Sequence, residues 1–185
     1  EQCLIRSHFH ERIADVPYEI MIDPKMSFGT GHHETTRLMI AQMLSLDFQG
    51  KTVLDLGTGT GVLAILSRML GAKRVLAVDI EEWAYRNAIE NVELNGQDAI
   101  TVRQGDISLI HYQRFDRILA NINLPVLRAH MPQYERVLEK GGQMLLSGFY
   151  DASLPEIQDL LEQNALQFIE KQQLNSWATV HAAKP

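Results

Sequence analysis

The residues best suited to ligand chemistry form a glycine-rich stretch after a short aliphatic run. The stretch "LDLGTGTG" contains Asp55, Gly57, Gly59 and Gly61. Glycine has no Cβ, so the backbone can turn tightly and approach a ligand closely, and the start of the next helix offers unsatisfied N–H groups. A glycine-rich turn is also a structural need of many α/β proteins. The pattern predicts a binding loop for a nucleotide-like ligand.

The spacing of this loop argues against the two common phosphate-binding motifs. The dinucleotide fingerprint requires glycine where Val62 stands, and the P-loop requires a lysine that the stretch lacks. The carboxylate of Asp55 would repel a pyrophosphate and attract a cationic amino group. We therefore expect a ligand that carries positive charge near the loop, and a nicotinamide oxidoreductase is disfavoured.

Two further aspartates stand at the ends of the next two predicted strands. Asp79, in "AVDI", follows Asp55 by 24 residues and can accept hydrogen bonds from ribose hydroxyls, although such an aspartate can also simply cap a strand end. Asp106, in "QGDI", can accept from the exocyclic amine of adenine, while the neighbouring Ile80 and Ile107 offer aliphatic surface to the ring. Amino acid, ribose and adenine, in this order, describe S-adenosylmethionine.

Asn121, in "LANINLPV", is the candidate on the acceptor side. A side-chain carbonyl at this strand end can orient an amine by accepting its hydrogen bond. Helix capping is the alternative role, and it suits Asn123 better than Asn121. No residue stands out as a general base, so we expect Asn121 to act by orientation.

The elements that must position these residues alternate between strands and helices, which is typical of a parallel sheet. Each of the three helices in this region is predicted to end at a glycine, namely Gly71, Gly96 and Gly141. The five strands look apolar enough to be buried on both faces. The predicted strands span residues 52–56, 74–80, 99–105, 115–122 and 142–149.

The two ends of the chain depart from this alternation. Residues 33–46 read as a helix with Leu38, Ile40, Ala41 and Leu44 on or near one face. At the other end, residues 166–173 and 176–183 read as two strands of an antiparallel hairpin. The fold class is therefore α/β, with a mostly parallel sheet that an antiparallel hairpin closes.

The overall composition limits the functional classes. The net charge of −6 argues against direct binding of nucleic acid, and a single cysteine excludes an intrachain disulfide framework. No apolar run approaches the roughly 18 residues of a membrane span. These features predict a cytoplasmic protein that does not bind a membrane.

Taken in order, several motifs resemble those of the catalytic domain of the ribosomal protein L-eleven methyltransferase family, PrmA. They are "DPKMSFGTGHHETT", "VLDLGTGTGVLAI", "AKRVLAVDI", "NVELNG", "LANI" and "LLSGF". The resemblance runs from about Tyr18 to the end, and "FGTGHHETT" is its most specific part. "GTGTG" departs from the Gly-Cys-Gly-Ser-Gly of many members but keeps the glycines.

The resemblance implies a seven-stranded class I methyltransferase fold. It also implies methyl transfer from S-adenosylmethionine to lysine side chains and the N-terminal amine of a ribosomal protein. Phe28, Thr30 and Gly31 would belong to a flap over the methionine end of the cofactor. Residues 18–185 would form the methyltransferase domain, and residues 1–17 a linker from a missing N-terminal substrate-recognition domain.

Other functions remain open from sequence. A class I methyltransferase for another protein or a small molecule would look much the same, whereas a non-catalytic S-adenosylmethionine-binding module would have no need of Asn121. The twin histidines His32 and His33 are poorly spaced for one metal ion, so we expect no metal site. Three aromatic residues are candidates either for an acceptor pocket or for the core: Phe149, Tyr150 and Trp177.

Overall fold

A computed structural model describes residues 2–7, 15–23, 33–110 and 112–185 of the chain. The strands are β1 (Cys3–Arg6), β2 (Tyr18–Met21), β3 (Thr52–Leu56), β4 (Arg74–Asp79), β5 (Ile100–Gln104), β6 (Phe115–Asn121), β7 (Leu138–Tyr150), β8 (Gln167–Leu174) and β9 (Trp177–Ala183). The helices are α1 (Glu34–Met43), α2 (Val62–Met69), α3 (Glu82–Leu94), α4 (Leu124–Val137) and α5 (Leu154–Gln163).

Seven strands form one sheet in the order β5-β4-β3-β6-β7-β9-β8. The first five in this order are parallel neighbours, and β9 runs antiparallel between β7 and β8. This arrangement confirms the predicted class I methyltransferase fold with its C-terminal hairpin. The chain runs outward from β3 to β5 and then returns to the other side of β3 with β6. The strand order therefore reverses between β3 and β6, where open α/β sheets bind their ligands.

Helices cover both faces of the sheet. Apolar side chains of α1, α2 and α3 pack with one set of strand residues, which includes Val53 and Val75. Those of α4 and α5 pack with the alternate set, which includes Leu54 and Leu76. Because successive strand residues point to opposite faces, burial on both faces requires a continuous aliphatic run.

Two sequence predictions about these elements are wrong. Strand β5 lies at the edge of the sheet, so it is not buried on both faces, and of its five residues only Ile100 is buried. The third helix of the central region does not end at Gly141, because α4 stops at Val137 and β7 begins at Leu138. The N–H of Gly141 instead donates to the Lys184 carbonyl at 2.9 Å. Gly71 and Gly96 do follow helix ends, with φ of 97° and 62°.

Helix α1 is shorter than the predicted span of residues 33–46. Met39, Ile40 and Met43 pack in the core on this face of the sheet, and Leu38 is also buried, whereas Ala41 is exposed. The helix packs against β7 and β9. It thereby ties the beginning of the described core to the C-terminal hairpin.

The strands β1 and β2 form a separate parallel pair, with Cys3 opposite Tyr18. Ile20 and Ile22 anchor this pair in the core beside α2. Within the described ranges, none of the helices is both long and apolar enough to cross a membrane.

Candidate functional site

A cavity of about 590 Å³ opens where the strand order reverses. Most of the residues that line it come from the ends of β3, β4, β5 and β6 and from the helices and turns that follow, and the others come from the start of α1, from β7 and from the start of β9. Most of the predicted site residues lie there together. They are Gly57, Gly59, Asp79, Ile80, Asp106, Ile107 and Asn121.

The glycine-rich turn after β3 forms the floor of the cavity. Gly57 and Gly59 have φ of 65° and 55°, values that residues with a Cβ rarely adopt. The N–H groups of Gly57 and Thr58 both donate to the carbonyl of Val78. A Cβ on Gly57 would lie 2.3 Å from Cγ2 of Ile122, so only glycine leaves room for the turn after β6.

Asp79 holds this turn against the next strand. Its Oδ2 accepts from the Gly59 N–H at 2.9 Å, and its Oδ1 accepts from the Glu81 N–H at 3.0 Å. The side chain is only 9% exposed but borders the cavity. Each carboxylate oxygen has more than one lone pair, so Asp79 can hold the turn and also accept from a ligand.

Asp55 lies beneath the loop and not on the cavity wall. It is 1% exposed, and its Oδ2 accepts from the Thr58 hydroxyl at 2.6 Å. It also accepts a backbone hydrogen bond from Ala64 in the first turn of α2, where the N-cap residue Gly61 has no side chain to offer. The pKa of Asp55 is raised to about 7, chiefly by burial and in smaller part by the charge of Asp79, while the hydrogen bonds from Thr58 and Ala64 oppose the rise.

The direct contact of Asp55 with a cationic ligand therefore stays a prediction, since the described contacts of its carboxyl group are internal. Gly61 also lies off the cavity. It has a φ of 82° at the N-cap of α2, and its missing Cβ would meet Ala88 at 3.5 Å. Asp55 and Gly61 therefore support the glycine-rich loop without lining the described cavity.

Asp106, Ile107 and Ile80 border one end of the cavity. The Oδ1 of Asp106 accepts from the Ser108 N–H at 2.8 Å, and hydrogen bonds from the Ser108 side chain and backbone hold the pKa of Asp106 below its usual range. Ile107 is 3% exposed, whereas Ile80 is 65% exposed. This end combines a charged acceptor with aliphatic walls.

Asn121 borders the other end, at the last residue of β6. Its Nδ2 donates to the Thr36 hydroxyl on α1 at 3.5 Å, and this bond does not use the side-chain carbonyl, which can still accept. Asn123 caps α4, because its Oδ1 accepts from the Val126 N–H at 3.1 Å. The predicted division of roles between the two asparagines is confirmed for Asn123.

Aromatic rings line the same cavity as Asn121. The rings of His33 and Trp177 pack edge to face with their centroids 4.8 Å apart, and the ring centroids of Tyr150 and Trp177 are 4.3 Å apart. His33 and Trp177 line the cavity, while Phe149 is buried in the core. His33 also caps α1, since its Nδ1 accepts from the Thr35 N–H at 3.3 Å.

Several cavity residues were missed by sequence reasoning. Val126, His130 and Tyr134 line it from one face of α4, and their spacing of four residues is the signal that a helix gives. Burial raises the pKa of Tyr134, so its hydroxyl keeps its proton. Trp83 and Gly148 also line the cavity, and a glycine within a strand indicates a bulge or a close approach.

The predicted flap residues Phe28, Thr30 and Gly31 lie outside the described residues, as does His32. Among the residues that are described, no group of three or more His, Cys, Asp or Glu side chains is arranged to hold a metal ion.

Comparison with known proteins places this geometry in context. The profile of the family "Ribosomal protein L11 methyltransferase (PrmA)" matches residues 1–185. The ribosomal protein L11 methyltransferases of Bacteroides fragilis and Porphyromonas gingivalis are each 46% identical to the chain over 181 residues, which is 97% of it. The chain spans 65% and 62% of the lengths of these two relatives.

Solved structures show the same fold. The ribosomal protein L11 methylase from Lactobacillus delbrueckii subsp. bulgaricus superposes with a TM-score of 0.91 at 31% identity, covering 99% of this chain and 95% of that one. An N-methyltransferase from Bradyrhizobium japonicum superposes with a TM-score of 0.67 at 17% identity, covering 84% and 99% of the two chains. The second likeness concerns the fold alone.

Proposed function

Because the chain belongs to the ribosomal protein L11 methyltransferase family, we propose that it transfers methyl groups from S-adenosylmethionine to amino groups of a ribosomal protein. The acceptors would be lysine side chains and the N-terminal amine, and the enzyme would act in the cytoplasm. The observation that carries the proposal is that Asp79, Asp106 and Asn121 border one cavity where the strand order reverses.

The residues present fit S-adenosylmethionine. The cavity volume of about 590 Å³ lies within the range typical of small-ligand sites. Asp79 retains lone pairs for ribose hydroxyls, and Asp106 offers an ionised acceptor for the adenine amine. Ile80 and Ile107 supply apolar surface for the base, and Gly57 and Gly59 let the backbone approach the amino-acid portion.

Two further groups of predicted residues would complete this site. Asp55 and Gly61 hold the glycine turn and the start of α2 in place. Phe28, Thr30 and Gly31 would cover the methionine end, because they precede α1, whose first residues already border the cavity.

The cofactor, when bound, supplies a methyl group that is already activated by its sulfonium charge. The protein must therefore align the acceptor amine and exclude water. A lysine amine has a pKa of about 10.4 and must lose its proton before it can attack. The side-chain carbonyl of Asn121 would accept from the neutral amine and fix the direction of its lone pair, while His33 and Trp177 shield that end from water.

The test combines binding with turnover. Purified protein is titrated calorimetrically with S-adenosylhomocysteine, with NAD as the control ligand, and then incubated with S-adenosylmethionine and ribosomal protein L11. Mass spectrometry counts the methyl groups added. We expect the protein to bind S-adenosylhomocysteine and not NAD, and we expect Asp79→Ala to weaken this binding strongly. The wild-type protein should methylate L11.

The role of Asn121 has its own comparison. Asn121→Ala should lower kcat about 100-fold, because a misaligned nucleophile loses orientation, with little effect on cofactor affinity. Asn164→Ala is the matched control, since the side chain of this asparagine donates to the Leu160 carbonyl at its own helix end and does not line the cavity. Full turnover by Asn121→Ala would refute the orienting role. Cofactor binding without methylation of L11 would refute the ribosomal acceptor, and absence of binding would refute the whole proposal.

A further inference from the structure

Two large apolar side chains are left exposed at one rim of the cavity. Ile80 is 65% exposed and Trp83 is 44% exposed, and both line the cavity. Exposure of a bulky apolar side chain gains nothing in folding, since burial of such surface is favourable. A ligand that covers this rim would remove that surface from water.

Two hydrogen bonds fix the backbone that leads into Trp83. The Glu81 N–H donates to Asp79 at 3.0 Å, and the Gln104 amide donates to the carbonyl of Ile80 at 3.4 Å. Trp83 lies in the first turn of α3, and the following residue, Ala84, is 1% exposed and anchors that turn in the core. The indole therefore projects from an ordered turn that Asp79 itself fixes.

Trp83 lies in the part of the cavity that is assigned to the nucleoside half of the ligand. It follows β4, on the same side of β3 as Asp106 and Ile107. Asn121 and Trp177 stand at the strand ends on the other side of β3, with β6 and β9. Trp83 thus belongs to the part of the cavity assigned to ribose and adenine.

We propose that Trp83 is a positioning and specificity residue for the nucleoside half of the ligand, with Ile80 as its neighbour on the same apolar rim. The inference rests on the proposed function, because it assumes a nucleoside in this part of the cavity. A planar base or the apolar face of ribose covers the indole, and the ring's large rigid surface gains contact at little cost in conformational entropy.

The two tryptophans of the chain make this measurable. The chain contains two tryptophans, Trp83 and Trp177, and both line the cavity. The variant Trp177→Phe therefore keeps Trp83 as the sole tryptophan, and any change in emission comes from it. The variant is titrated with S-adenosylhomocysteine, adenosine and methionine while tryptophan emission is recorded and binding is followed by calorimetry. We expect the first two ligands to change the intensity or wavelength of Trp83 emission, and methionine to leave it unchanged.

The outcomes separate the inference from the proposed function. Calorimetric binding of S-adenosylhomocysteine with unchanged Trp83 emission would overturn the role of Trp83 and leave the proposed function intact. Absence of binding to the wild-type protein would overturn both. A response to methionine equal to that to adenosine would overturn the assignment of Trp83 to the nucleoside half.

Substitution provides the second test. Trp83→Ala should raise the Kd for S-adenosylhomocysteine about tenfold, the loss typical of a removed base–aromatic contact, and Trp83→Phe should recover most of it. In turnover, Trp83→Ala should raise KM for S-adenosylmethionine with kcat unchanged, since the contact is equal in ground and transition states.

The control for this substitution is Leu94→Ala, because Leu94 is 38% exposed on the same helix and does not line the cavity. It should leave the Kd unchanged. Wild-type affinity in Trp83→Ala, or equal losses in Trp83→Ala and Leu94→Ala, would overturn the proposal.

Discussion

Gly148 should tolerate no side chain, and its substitution should damage both stability and turnover. It sits at an irregularity of β7 with a φ of 94°. A Cβ there would lie 2.4 Å from the carbonyl oxygen, 2.6 Å from the carbonyl carbon and 2.8 Å from the nitrogen of Ile122. These are backbone atoms, so the clash cannot be relieved by a rotamer change.

Two costs add in Gly148→Ala. The left-handed backbone conformation costs about 1–2 kcal/mol for a residue with a Cβ. Overlap with a packed backbone costs about 1–3 kcal/mol more. Gly96→Ala is the matched control, because Gly96 has a φ of 62° but open space around its missing Cβ. It should lose about 1 kcal/mol, from the backbone conformation alone.

The assays are thermal unfolding and steady-state kinetics. For a domain of this size each kcal/mol shifts Tm by about 2–4 °C, so Gly148→Ala should melt about 9 °C below wild type and Gly96→Ala about 3 °C below. Because Ile122 follows Asn121 directly, kcat should fall about 100-fold in Gly148→Ala only. Equal Tm values for the two variants, together with full turnover by Gly148→Ala, would refute the close packing of β7 on Ile122.

Three further predictions concern buried polar groups. Because burial raises the pKa of Asp55 to about 7 from 3.8, its contribution to stability is present below about pH 4 and lost as pH rises through 7. Urea unfolding of wild type relative to Asp55→Asn should show this decline, and a constant difference would contradict it. Burial lowers the pKa of His181 below 6.5, so its neutral form stabilises the fold above that pH and the contribution is lost on acidification. In His181→Gln the free energy of unfolding should fall less steeply than in wild type as the pH is lowered. An equally steep fall would show that other groups cause it. Gln42 is 1% exposed and its amide has no hydrogen-bond partner among the described residues, so Gln42→Met should raise the free energy of unfolding by about 1 kcal/mol; a lower unfolding midpoint would contradict this.

The sequence predicted correctly the strands and the site residues whose local pattern follows directly from their place in the sheet. Central parallel strands must be aliphatic throughout, so β3, β4, β6 and the core of β7 were located within a residue or two. Asp79, Asp106 and Asn121 stand at strand ends, and parallel strands bring these ends to one edge of the sheet.

The features that the sequence did not predict depend on packing between residues that are far apart in the chain. The edge position of β5 depends on strand order, which no local pattern of five residues contains. The extension of β7 back to Leu138 reflects its pairing with Phe115, and the roles of Gly148 and His130 depend on how β7 and α4 pack over the turn after β6. The burial of Asp55 behind the cavity wall could not be read from spacing alone, and its contact with a cationic ligand stays a prediction.

The contacts between α1 and the C-terminal hairpin also bear on how the protein is made. Glu34 and Asn175 are 141 residues apart in sequence, yet their side chains meet at 3.0 Å, next to the contact between His33 and Trp177. Contacts so distant in sequence form late, because the loop between them must close first. During synthesis, β3, β4 and β5 leave the ribosome well before β9. The part of the cavity wall that holds Asp79 and Asp106 can therefore form as soon as β3, β4 and β5 are made, whereas the part that holds His33 and Trp177 is completed only after β9 has been synthesised.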